Sequence, residues 1–266
     1  MKTRHSGFRS GWLARHSVHE FRFGFGPAQV RRPVSTPDRP IIFDVGANLG
    51  QTISEMRKAC PNSAIHAFEP GAVAFEALQR TWSRTSNITL NYFALGSKEA
   101  KRPFNETLQH DMSSFLPTGQ HGWGKNTNQR EVSIKTVDGY CAANEIDYVD
   151  VLKCDTQGFD LEVLRGARQM MARHAIRLVY VEINFAELYV GQAAADEIMS
   201  LLRQNGFHLV TFYGFHYVDG RIGWTDALFI APLNRSSRLG SQPRAFEEKN
   251  ANDIVRIKRE VKVATS

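Results

Sequence analysis

Between residues 41 and 231 short apolar runs alternate with amphipathic stretches, and this constrains the fold more than any other feature of the chain. The runs at 41–45, 64–68, 88–93, 132–137, 149–154, 177–183, 207–213 and 227–231 predict strands. The stretches at 50–60, 72–82, 138–144, 159–173 and 193–205 predict helices, the first stopping before Pro61 and the last at Gly206. Strands that alternate with helices pair in parallel through right-handed crossovers. The expected architecture is an α/β doubly wound, mostly parallel sheet with its ligand at the carboxyl ends of the strands. Residues 98–130 carry no strong period and are expected to form a long loop or insertion.

Charge divides the chain differently. The net charge is +6. Residues 1–40 hold eight Lys or Arg and two acids, residues 234–266 hold eight and four, and the centre is acidic. The expected organisation is a basic arm over 1–38, one catalytic-sized domain over 39–233 and a charged tail over 234–266. Within the tail, 250–263 has the pattern of a short helix. Basicity confined to the ends does not make a nucleic-acid-binding fold, and nucleic acid is not an expected partner. Three scattered cysteines, Cys60, Cys141 and Cys154, fit a reducing compartment rather than a disulfide framework or zinc cluster. No stretch reads as a membrane span or a secretory signal, so a cytoplasmic location is expected.

The segment DVGANLG, residues 44–50, follows the first strand and opens a helix. Gly46 and Gly50 permit a tight turn and close backbone approach, and Asn48 tolerates left-handed backbone. A helix start offers unpaired N–H groups to a phosphate or carboxylate. Glu69 ends the second predicted strand, where an acid can accept two hydrogen bonds from a ribose diol. Asn48 stands where the dehydrogenase fingerprint has its second glycine, which weighs against an NAD-dependent oxidoreductase. The plainer alternative is a strand–turn–helix corner whose glycines serve packing alone.

Several further segments, read in order, make the chain similar to one family. These are AFEP at 67–70, FALGS at 93–97, SSF at 113–115, TVD at 136–138 and VLKCDTQGFDLEVLRGA at 151–167. VYVEINFAELY at 179–189 and TDALFI at 225–230 complete the set. Over residues 41–231 the chain resembles the FkbM family of S-adenosylmethionine-dependent methyltransferases; the two arms do not. The resemblance implies a Rossmann-like class I methyltransferase sheet with an antiparallel last strand. It also implies that Asp44, Gly46, Asn48 and Gly50 flank the S-adenosyl-L-methionine, that Glu69 holds its ribose and that Ala94 lies against its adenine. Asp160 stands where the family usually has Glu.

Transfer of a methyl group to a hydroxyl requires alignment and removal of a proton. Lys153 and Asp155 share one face of the predicted strand end, and Glu182 ends the next strand. Asp155, Lys153 and Glu182 are therefore the catalytic candidates. Asp155 and Glu182 together could hold Mg²⁺ through oxygen, or one could act as base. Each has a plainer alternative: an ion pair between Lys153 and Asp155, and a loop bond or cap for Glu182. Trp123, Trp224 and Tyr189 could line an acceptor pocket or simply pack. The expected reaction is O-methylation of a hydroxyl on a small molecule or sugar. The rival expectations are an NAD-dependent oxidoreductase and a non-catalytic nucleic-acid binder working through its arms.

Overall fold

The structure is a computed structural model that describes residues 39–232 apart from Gln109. The two arms expected at 1–38 and 234–266, with the tail helix at 250–263, lie outside the described residues. The main sheet has seven strands in the order β3-β2-β1-β7-β8-β10-β9. They are β1 (Ile41–Val45), β2 (Ala64–Phe68), β3 (Ile88–Asn91), β7 (Val149–Cys154), β8 (Ile176–Asn184), β9 (His208–Val218) and β10 (Arg221–Ile230). β1 lies between β2 and β7 and is parallel to both. β10, the last strand, is antiparallel to both β8 and β9, as expected.

Period-two alternation sorts each strand's side chains to two faces. From β1, Ile42 joins Ile65 and Val151 beneath helices α1 (Gln51–Ala59) and α2 (Ala72–Trp82). Phe43 and Val45 join Leu152, Val179 and Val181 on the other face. That face is covered by α3 (Val137–Ala143), α4 (Asp160–Arg165), α5 (Arg168–Ala172) and α6 (Ala195–Gln204). The sheet is thus doubly wound, and β7 is buried at every residue.

Three segments differ from the sequence expectation. Residues 98–130 do not form a structureless insertion. They contribute β5 (Ala100–Thr107), a 3-10 turn (His110–Met112) and much of β6 (Asn126–Lys135). With β4 (Ala94–Leu95) these make a second sheet in the order β4-β6-β5. β5 hid its identity because it is an edge strand with only Phe104 and Thr107 buried and with Pro103 in its middle. An edge strand tolerates a residue that cannot donate to the ladder.

The helix expected at 159–173 is two helices. At the break, a Cβ on Gly166 would lie 2.0 Å from the Gly96 carbonyl oxygen, so the backbone there touches the β4 segment directly. The chain restarts as α5 because the Asp138 carboxylate accepts from the N–H groups of Gln169 and Met170 at 2.9 and 3.0 Å. β9 and β10 are longer than their apolar cores and meet at Asp219 and Gly220, both with positive φ. That Asp-Gly pair is a strong two-residue hairpin signal.

Substituting Gly166→Ala should force this corner apart and destabilise the fold by about 1–3 kcal/mol, as overpacking does. Urea unfolding measures it, and unchanged stability would show that the contact yields freely.

Candidate active site

The carboxyl ends of β1, β2 and β7 and the second sheet enclose a cleft of about 560 Å³, part of it open to solvent. Its floor is the turn after β1. Gly46 has φ +76, and a Cβ there would lie 2.0 Å from the Asp155 carbonyl oxygen, so only glycine fits between the β1 and β7 ends. Asn48 also has positive φ, at 48.

Beneath the turn lies a buried ion pair. The Lys153 Nζ is 2.9 Å from Asp44 Oδ1 and donates to the Gly46 carbonyl at 2.8 Å. Burial acts to lower the Lys153 pKa, but the Asp44 and Asp155 carboxylates more than offset it and hold the ammonium above the ordinary lysine range. The second Asp44 oxygen and the Asn48 Oδ1 are buried without hydrogen-bond partners.

Glu69 ties two loops together. Its Oε2 accepts from the Asn48 N–H at 2.8 Å and its Oε1 from the Gly71 N–H at 2.7 Å. Burial lifts its pKa to about 7 against the pull of those two bonds. Ala94 and Leu95 line the opposite side with Phe104, Phe115 and Phe159. Phe115 lies 5.0 Å from Phe104 and 4.7 Å from Phe159 between ring centroids.

The far wall carries Asp155 in the turn after β7. Gln157, held at φ 57, donates its side-chain amide to Asp155 Oδ1. The same amide accepts at Oε1 from the hydroxyl of fully buried Tyr189. Ser114, from the second sheet's connection, donates to the Gln157 carbonyl at 2.7 Å. Asp160 accepts from the Thr156 N–H at 2.9 Å, and burial with the nearby Asp155 charge raises it to about 6.

Four of the expected cofactor residues, Gly46, Asn48, Glu69 and Ala94, line this cleft, and so does the expected catalytic Asp155. Asp44 is underneath it. Gly50 is not on its wall; a Cβ there would meet Trp82 and Leu78, so its bareness serves the seating of α1 on α2. Lys153 partners Asp44 and Gly46 and does not line the cleft. Glu182 is buried beside Asn184, off the cleft wall, and opposite Asp226 in the β8–β10 register. Among the described residues no three His, Cys, Asp or Glu side chains gather as a metal site. The sequence reading missed Gln157, Ser114 and the phenylalanine wall. Gln157 had one signal, a polar residue beside glycine in the turn after a buried strand.

The cleft thus combines an acid at the second strand's end, an apolar slot, and unpartnered buried oxygens by the glycine turn. Residues 44–209 match the methyltransferase FkbM domain family. The chain is 22% identical over 185 residues to a 2-O-methyltransferase, NoeI, of Sinorhizobium fredii, covering 65% of this chain and 75% of that one. It is 28% identical over 149 residues to a hexuronic acid methyltransferase, AglP, of Haloferax volcanii, covering 54% and 56%. A crystal structure of an FkbM methyltransferase from Methylobacillus flagellatus KT aligns with a TM-score of 0.46 at 16% identity, over 73% of this chain and 44% of that one.

Glu69 generates a pH dependence. Below its ordinary value of 4.5 the carboxyl is protonated folded or unfolded. Between 4.5 and about 7 the unfolded chain releases the proton while the folded one holds it, so rising pH favours unfolding. Without ligand, stability should therefore fall by about 2.5 kcal/mol from pH 5 to pH 8 through this group, with Asp160 adding in the same direction. Urea titrations at both pH values should show Glu69→Gln losing less than the parent; equal losses would place the charge elsewhere.

Proposed function

The chain belongs to the FkbM methyltransferase family and is a methyltransferase, and from that premise we propose that it moves a methyl group from S-adenosylmethionine to a hydroxyl of a sugar or similar small molecule, with Asp155 as the base. The observation that carries this reading is the Asp155 carboxylate, set on the cleft wall and oriented by a buried hydrogen-bond chain. The relatives' names point the same way, one to a 2-O position and one to a sugar acid.

Glu69, already fixed by two backbone N–H groups, would accept from the ribose hydroxyls through its remaining lone pairs. Ala94, Leu95 and the phenylalanine wall would take the adenine, and Gly46 and Asn48 the methionine side. When bound, the cofactor supplies a methyl group on a sulfonium, an electrophile with a good leaving group. The protein's own task is to align the acceptor oxygen and remove its proton. Tyr189 fixes which way the Gln157 amide faces; Gln157 in turn fixes the Asp155 carboxylate. A base held in this way meets the acceptor hydroxyl without reorganising. With Glu182 off the cleft wall, it does not join Asp155 there to share a metal, and the base reading requires turnover to survive a chelator.

Asp155→Asn should lower kcat by ~10²–10⁴-fold while calorimetry shows cofactor affinity nearly unchanged. Near-normal turnover would reduce Asp155 to a structural role. Tyr189→Phe removes one hydrogen bond at a distance from the chemistry. It should cost about five- to tenfold in kcat with KM for the cofactor unchanged, and a change in KM alone would break the positioning argument.

A further inference from the structure

Beyond Asp155, the described face of the sheet carries a group of aromatic and amide side chains that the transfer itself does not use. Trp224 of β10 packs against the cluster of Met112, Leu188 and Tyr189, and Tyr189 orients Asp155 through Gln157. One face of the Trp224 ring is stacked on His216, with centroids 4.5 Å apart and planes 3° from parallel. Trp123 leans on Trp224 at 5.3 Å and is 38% exposed. Trp123 is tilted 40° against Trp224 and is the ring of the three that faces solvent. Trp123 is held there by its loop, since the Gly119 and His121 N–H groups donate to the Leu188 and Glu187 carbonyls, just beyond β8.

Register places the stack relative to the chemistry. Cys154 pairs with Val181, so Asp155 and Glu182 follow in one row, and Glu182 pairs with Asp226 on β10. Trp224 pairs with Asn184 two residues further on, on the same face. At about 4.8 Å per strand and about 3.3 Å per residue, Trp224 lies about 12 Å from Asp155 along the sheet, close enough for one acceptor molecule to reach both. Asn184 adds an independent sign of a ligand. It is 5% exposed, donates to Glu182 at 3.4 Å, and its Oδ1 is buried with no hydrogen-bond partner. An acceptor left in that state is costly until a hydroxyl or amide donor reaches it.

We propose that Trp123, backed by Trp224 and His216, together with Asn184, forms the acceptor subsite and that its ligand is a neutral pyranose. This rests on the hydroxyl-methylation reading and names the substrate class of that site. A pyranose ring has a C–H face and an equatorial rim of hydroxyls. The exposed indole matches the first, and the Asn184 Oδ1 matches the second. The ring is neutral because a uronate would set its charge against Asp155, Glu182 and Asp226, which lie close enough together to act jointly on the Tyr180 phenol.

The test uses the full chain saturated with S-adenosylmethionine. Saturation-transfer NMR is run with methyl glycosides of gluco, galacto, manno and fuco configuration, and with a methyl glucuronide. At least one neutral glycoside should receive saturation on the C–H protons of one ring face. Trp123→Ala should weaken that binding about tenfold, and Trp123→Phe should retain most of it. The exposed position lets both variants fold, which thermal melts verify. The proposal is overturned if no neutral glycoside responds while calorimetry shows the cofactor bound, if Trp123→Ala binds like the parent, or if the glucuronide binds more tightly than every neutral sugar. Absence of cofactor binding in the parent protein is a different result: it removes the methylation reading, and this subsite with it.

Discussion

The ion pair between Asp44 and Lys153 is the contact on which the site depends. It joins the last turn of the central strand to its neighbour at full burial, where a lone charge would be intolerable. Such a pair adds little to stability compared with well-packed apolar groups. What it fixes is position: the same ammonium holds the Gly46 carbonyl, so the glycine turn cannot drift from β7. The Asp155 carbonyl then presses against the Cα of Gly46, and the two strand ends that carry opposite walls of the cleft become one rigid unit.

Around that unit each wall is fixed by a different kind of force. Glu69 uses charge-assisted bonds to two backbone N–H groups, which sets the spacing of the loops after β1 and β2. The second sheet supplies apolar contact, with Phe104 and Phe115 meeting Phe159 from α4's cap. Asp155 relies on neutral hydrogen bonds through Gln157 to Tyr189. The division is chemically sensible. Under the proposed reaction, a ribose would call for a charged acceptor, a purine for an apolar slot, and a proton-accepting carboxylate for a neighbour that directs it without adding a charge.

The departures from the sequence expectation have physical causes. Strand β5 escaped because its buried residues, Phe104 and Thr107, are spaced by an odd number and so show no period of two, and Pro103 argued against a strand that only its edge position permits. The break at Gly166 escaped because helix periodicity continues through it; only the approach of Gly96 ends the helix there. For Lys153 the shared strand face offers an ion pair with Asp155 as the plainer alternative. Asp155 does act on the ammonium, but the close partner is Asp44 on the neighbouring strand, and no one-dimensional pattern records that crossing.

The sequence by itself determined the doubly wound sheet, because the exclusion of apolar side chains from water writes its period into the chain, and every strand from 41 to 154 on the main sheet could be read from it. It also determined the glycine turn and Glu69, since positive φ and a carboxylate at a strand end leave local marks. Tertiary structure alone decided which candidates share a cleft. It put Asp155 on the wall, Lys153 underneath and Glu182 outside, and it brought Gln157, Tyr189, Trp123 and Trp224 to one side of the chemistry. Those placements depend on strand order, register and crossover, and are set by how remote segments pack together rather than by any residue's neighbours along the chain.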